Sequence, residues 1–205
     1  GSEKTPLADI MQAQGLIGSL SPGTTAEIVH KLSSVPLAFH PGEQWRYSLA
    51  TDVLGQFIMT LSGDSLDVFL RDRIFTPLGM NETGFHVPKA LMPRFAANYG
   101  PGANPGDPIV CIDDPAASSY QTPPAHLSGG GGLLSTADDY LTFARMLLNG
   151  GELNGVRLLK SETLAMMTKN QMVKNGRDQD ITDMGAGDFN NAQWDGIGFG
   201  LGFSV

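Results

Sequence analysis

The residues best placed to do chemistry lie in the run Pro41-Gly42-Glu43-Gln44-Trp45-Arg46-Tyr47-Ser48-Leu49. Pro-Gly reads as a tight turn, and Trp45 is a large anchor for a core, with an indole N–H that needs a partner. Ser48 occupies a good helix N-cap position. The residues that follow, Val53, Leu54, Phe57, Ile58 and Leu61, have one-face helical spacing. Tyr47 is thereby held at a helix N-terminus, the positive end of the helix dipole, which suits a proton-transferring phenol. The competing reading makes Tyr47 a half-buried structural residue. Other candidate groups point to less. His30, His40, His86 and His126 show no mutual metal-ligand spacing. Asp178, Asp180, Asp183, Asp188 and Asp195 do not fit an EF-hand loop and read as a solvated acidic loop. The run Gly129–Gly132 is not followed by Lys-Ser/Thr, so it is not a phosphate loop; locally it is a flexible turn. No serine has a lysine three residues later, and Gly-x-Ser-x-Gly and Lys-Thr-Gly are both absent.

The elements that must position Tyr47 are mostly helices. Residues 1–23 read as a loop-like lead-in with a short apolar piece at Leu16-Ile17. Thr24-Thr25-Ala26-Glu27 is a capping box opening a short helix that carries Ile28, Val29 and Leu32. The Tyr47 helix runs to about Leu61. Ser65 caps another helix, with Leu66, Phe69, Leu70 and Ile74 inward, and Pro77 stops it. Residues 86–128 are broken by prolines, with short strands predicted over Arg94–Tyr99 and Ile109–Ile112. A capping pattern at Ser135-Thr136-Ala137-Asp138 starts the clearest helix, whose inward face is predicted to be Tyr140, Phe143, Ala144, Leu147 and Leu148. Gly150-Gly151 ends it. A hairpin turns at Asn154-Gly155, and Ser161 caps a last helix. Residues 174–195 read as a polar mobile loop, and Gly198–Val205 alternates as the start of a strand. All apolar stripes are expected to be packing core.

Pro-Gly-x-x-Trp-x-Tyr-Ser, Leu54-Gly55, Ser62–Leu66 and Phe75–Phe85 form one ordered series of blocks, continued by Gly129–Tyr140 and Leu147–Leu159. The series resembles the serine β-lactamase-like family, above all class C β-lactamases, family VIII carboxylesterases and penicillin-binding-protein-like members. The resemblance covers most of residues 37–170, the middle region only. It implies the helical lobe of an α+β serine β-lactamase/transpeptidase-like fold, here mainly α with a few short β segments. The lead-in is then 1–23, the helical lobe 24–170, and 171–205 the loop and first strand of an α/β lobe. In the family a serine acylates, activated by a lysine in Ser-x-x-Lys, while a tyrosine shuttles the proton. Tyr47 matches that tyrosine and is the catalytic residue the resemblance implies. Gly129 and Gly130 become a close-approach wall of the substrate pocket. Leu49 stands where penicillin-recognising members have Asn, which leans towards esterases. The resemblance implies a hydrolase of small esters or β-lactam-like amides acting through an acyl-serine, and no cofactor or metal. Without Ser-x-x-Lys and the third motif, this polypeptide alone is expected to be inactive. The rival readings are a non-catalytic binding or self-associating scaffold lobe, and an acyltransferase or D-amino-acid peptidase of the same fold.

Composition is consistent with one domain or one large lobe: 205 residues, 41% apolar and 17% charged, with many glycines and prolines. A net charge of −8 argues against nucleic acid or an anionic membrane as partner, and no apolar run is long enough to span a bilayer. A small ester or lactam is the expected partner, with a homodimer through an exposed lobe interface as a second. The single cysteine, Cys111, rules out an internal disulfide and leaves the compartment undecided, with a bacterial cytoplasm and periplasm both open. Its apolar flanks predict a buried thiol. Gly1-Ser2 reads as a cloning scar, so the natural start is expected to lie elsewhere.

Overall fold

A computed structural model describes residues 6–16, 23–184 and 192–205. Its helices are α1 (Pro6–Ala13), α2 (Thr25–Leu32), α3 (Ala50–Ser62), α4 (Leu66–Leu70), α5 (Thr76–Leu78), α6 (Ala137–Leu148), α7 (Ser161–Met167) and α8 (Ile181–Met184). Three two-stranded antiparallel ribbons accompany them: β1 (Asn98–Gly100) with β2 (Val110–Asp113), β3 (Glu152–Leu153) with β4 (Val156–Arg157), and β5 (Val173–Lys174) with β6 (Arg177–Asp178). The chain is mainly α with short β segments, as its sequence predicts. Among the described residues no single helix is long and apolar enough to cross a membrane.

Local signals set several of these elements. At α2 the capping box is complete: Glu27 N–H donates to Thr24 Oγ1, and Thr24 N–H donates to Glu27 Oε2 at 2.7 Å. Those Thr24 hydrogen bonds, the backbone one foremost, hold the Glu27 carboxyl below the usual carboxylate range. Thr136 caps α6, accepting from Asp139 N–H. Asn154 and Gly155 both take positive φ, 51° and 81°, which a two-residue hairpin turn demands.

The lead-in is not all loop. α1 begins with Pro6 in its first turn and closes by a Schellman motif, Leu16 N–H to Met11 C=O and Gly15 N–H to Gln12 C=O, with Gly15 at φ 66°. Ile17 of the predicted apolar piece and Asp188 of the acidic run lie outside the described residues. Pro77 does not stop its helix either. A π-turn over Arg71–Phe75 sends Thr76 N–H back to Arg71 C=O, and Pro77 then sits inside the first turn of α5. Gly79 at φ 75° makes the stop. The polar stretch after 173 is not all loop: it forms the β5–β6 ribbon and α8. Asp180 accepts N–H bonds from Asp183 at 2.7 Å and Gly196 at 2.8 Å, and these backbone donors, Gly196 first, hold its carboxyl below the ordinary range. Gly198–Val205 reverses on itself instead of extending: Gly198 and Val205 exchange backbone hydrogen bonds.

Two apolar clusters anchor the described residues. Phe75, Leu78, Met80, Met146 and Leu153 form one, so the α4–α5 run, α6 and the β3–β4 ribbon share a core. Met172 and Ile181 form the other, against which Trp45, Trp194, Ile197 and Phe199 pack. The predicted inward faces of α3 and α6 are corrected. On α6 the fully buried residue is Met146, with Phe143 and Leu147 packed beside it, while Tyr140 and Leu148 are exposed. On α3 the buried residues are Asp52 and Gly55, and Val53, Leu54, Phe57 and Leu61 face solvent. Cys111 is exposed as well; its short ribbon carries Ile109, Val110 and Ile112 on the surface.

Candidate active site

The turn before α3 forms as its sequence predicts, closed by Glu43 N–H on His40 C=O at 3.1 Å with Gly42 at φ 87°. Trp45 packs its ring on Phe199, centroids 5.4 Å apart. Chain direction is thus set on both sides of Tyr47, by an aromatic anchor before it and a helix after it. Tyr47 is 72% exposed, which does not fit a half-buried structural tyrosine. Ser48 is not the cap: Leu49 is, without a side-chain bond, and Ser48 Oγ accepts the Ala50 N–H at 3.2 Å.

The glycine run lies directly on α3. A Cβ on Gly129 would stand 2.0 Å from Thr51 O and 3.2 Å from Gly55 N, and one on Gly130 would stand 2.6 Å from Thr51 Oγ1. A Cβ on Gly55 would in turn meet Gly129 N and Cα at 3.4 Å. Two backbones approach here so closely that only glycine fits on the loop side. The first turns of the helix that follows Tyr47 and the loop carrying Gly129 and Gly130 are therefore one packed unit.

A polar cluster that spacing did not reveal secures this unit. Asp52, 4% exposed, accepts from Ser128 Oγ at 2.6 Å and His126 Nε2 at 3.1 Å, both on Oδ1. Ser128 Oγ in turn accepts the Gly130 N–H at 3.0 Å. Between them, Leu127 donates its N–H to Thr25 Oγ1 at 3.0 Å and accepts from it at 2.9 Å. Serine, histidine and aspartate meet here, but not as a hydrolytic triad. A triad runs in series, hydroxyl to imidazole to carboxylate; these two donors end on the same carboxylate oxygen, and the Ser128 proton is committed to it. The cluster holds a loop in place. The loop's far end is fixed by the bridge between Gly84 and Leu134 and by Asp139 Oδ2, which accepts from Glu82 N–H and Thr83 Oγ1 at 2.9 and 2.8 Å.

Grooves lie elsewhere. One of about 640 Å³ is lined by Val87, Met92, Pro93, Pro115 and neighbours, and a smaller one of about 220 Å³ by Leu91, Phe95, Leu134 and others. Neither includes Tyr47, Gly129 or Gly130 in its lining. Geometry and residue chemistry, not concavity, single out the Tyr47–glycine-loop unit.

Tyr47 is thus exposed two residues ahead of the α3 cap, and the glycine loop packs on the first turns of the same helix. The family model "Beta-lactamase" matches residues 3–204, and the chain belongs to that family. The Mycobacterium tuberculosis protein Rv1367c is 36% identical over 174 residues, 85% of this chain and 41% of its own length. Esterase EstB of Burkholderia gladioli is 36% identical over 129 residues, 56% of this chain and 32% of the esterase. Among solved structures, EstCE1, described as a hydrolase with promiscuous acyltransferase activity, superposes with a TM-score of 0.64 at 26% identity, covering 92% of this chain and 47% of EstCE1. The chain spans less than half the length of each of these relatives.

Proposed function

We propose that this chain is the helical lobe of a serine hydrolase that cleaves small esters or β-lactam-like amides through an acyl-serine intermediate. In that enzyme Tyr47 passes the proton between the serine hydroxyl and the leaving group, and Gly129 and Gly130 form the wall of the acyl pocket. The Gly130 amide is already bonded to Ser128 Oγ, so that residue contributes shape and not a hydrogen-bond donor. The observation that carries the reading is the docking of the glycine loop onto the helix that Tyr47 precedes, with Tyr47 exposed ahead of it. The esterase likeness and Leu49 in the position of an amide side chain favour esters over lactams. The serine and its lysine would come from outside these 205 residues, because no Ser-x-x-Lys occurs in them. The test is hydrolysis of a short p-nitrophenyl ester. The full-length enzyme should turn it over and lose roughly 100-fold or more of kcat in Tyr47→Phe, as expected of a proton-transferring group, while the 205-residue chain alone stays silent. Saturable turnover by the isolated chain, or an undiminished Tyr47→Phe enzyme, would refute it.

A second reading is supported by the outward apolar face of α3, where Val53, Leu54, Phe57 and Leu61 are exposed together. Isolated from the rest of its enzyme, the lobe would hide that face by self-association. Acyl transfer to alcohols, suggested by the description of EstCE1, is separated from hydrolysis by product analysis with an alcohol acceptor.

A further inference from the structure

Asp52 is a buried carboxylate in the first turn of α3 and the one charged residue of that helix, and the proposed proton transfer does not use it. Three features of its surroundings converge. Its Oδ1 takes hydrogen bonds from His126 and Ser128, residues 74 and 76 positions further along the chain. Ser128 hands the constraint on to the Gly130 amide. Thr25, 3% exposed on α2, grips both the N–H and the C=O of the intervening Leu127. His126, Leu127 and Ser128 are thus tied to two different helices immediately before Gly129 meets the backbone of Thr51 and Gly55.

We infer that Asp52 is a positioning residue for the reaction proposed above: with Ser128, His126 and Thr25 it sets the height of the Gly129–Gly130 wall over the helix that Tyr47 precedes. The inference rests on that functional reading and adds residues to it that do not touch substrate. The physical reason for a carboxylate is its acceptor capacity. It can take both a hydroxyl and an imidazole N–H on one oxygen, which neither an amide oxygen within the same space nor an apolar side chain does as well. Burial makes the arrangement rigid, because releasing either donor would strand a charge in a low-dielectric site. The wall itself has no side chains to hold it. Its register on α3 therefore comes from the residues just ahead of it.

The test uses the full-length enzyme and two readouts. Amide hydrogen exchange over residues 126–133, read without substrate, should accelerate about tenfold or more in Asp52→Asn and Ser128→Ala, with the α6 amides unchanged, the pattern of local and not global opening. On a p-nitrophenyl ester both variants should lose roughly 10- to 100-fold in kcat with KM within about threefold, as displacement of a pocket wall by about 1 Å predicts. His126→Gln, whose amide can still donate to the carboxylate, should recover most of the kcat lost in His126→Ala. Ser128→Ala removes one hydroxyl and keeps the test open if Asp52→Asn fails to fold. Unchanged exchange at 126–133 would overturn the inference, as would a loosened loop with undiminished kcat. A wild-type enzyme with no ester or amide turnover would instead overturn the function proposed above, and the exchange data would distinguish the two failures.

Discussion

Replacing Gly129 with alanine would put a methyl carbon 2.0 Å from the Thr51 carbonyl oxygen, 2.8 Å from its carbon and 3.2 Å from Gly55 N. An ordinary contact at that oxygen needs about 3.4 Å, so roughly 1.4 Å must be recovered. None of the obstacles is a side chain that can rotate away; all are backbone of a hydrogen-bonded helix. The loop must therefore rise. Overpacking of this kind costs about 1–3 kcal/mol, and in a chain of this size each kcal/mol is worth about 2–4 °C in Tm. Gly129→Ala should lower the melting temperature of the 205-residue chain by roughly 2–12 °C. In the full-length enzyme it should cut kcat by about 100-fold, since the wall moves by more than 1 Å relative to Tyr47. The neighbouring glycines supply internal controls. Gly130→Ala meets the Thr51 hydroxyl at 2.6 Å, which a rotamer change relieves, and Gly131→Ala meets nothing within 4 Å. Thermal melts of the three variants should rank Gly129→Ala far below Gly130→Ala, with Gly131→Ala near wild type. A Gly129→Ala melt within about 1 °C of wild type, or an equal loss in Gly131→Ala, would refute the close-packing argument.

Exposure of the α3 stripe predicts association of the isolated chain, which sedimentation velocity should show as concentration-dependent; Leu54→Ser with Phe57→Ser should return it to monomer, and a monomeric wild type would dismiss the idea. Glu27, whose carboxyl is held low by Thr24, contributes stability that is complete above the ordinary carboxylate pKa of about 4.3 and is lost as pH falls through the lower folded value. Glu27→Gln keeps a capping partner without the charge, so its Tm deficit should be present at neutral pH and vanish in acid; a deficit independent of pH would contradict this. Cys111, exposed on β2, should titrate with a thiol reagent as one equivalent in the native chain at close to the unfolded rate. A thiol reached only after denaturation would contradict the placement.

Much of the fold was legible because its signals are local. The capping box at Thr24 and Glu27, the cap at Thr136 and the Asn154-Gly155 turn each satisfy backbone groups within a few residues of themselves. α1 carries such a signal too, Pro6 at its start and Gly15 just past its end, the asymmetry that marks a helix. Which face of a helix is buried is a different kind of fact. The stripes on α3 and α6 have helical spacing, and spacing predicts a face without saying what covers it. On α3 the inward residues proved to be a carboxylate and a glycine, because what covers them is a loop of bare backbone and not an apolar core. A lone aspartate within an apolar helix was the available hint. The Cys111 flanks misled for the same reason: an apolar quartet on a two-stranded ribbon has no second layer to bury against among the described residues.

By itself, the sequence determined the caps at Thr24 and Thr136, the Asn154-Gly155 turn, the family, and the place of Tyr47 just ahead of α3, since all of these depend on short-range stereochemistry or on an ordered series of blocks. Tertiary structure alone decided that Asp52 meets His126 and Ser128 across 74 and 76 positions, that Gly129 lies on Thr51 and Gly55, and that the apolar stripe of α3 faces outward. Burial and long-range hydrogen bonds belong to pairs of surfaces, and no stretch of chain encodes its partner's position.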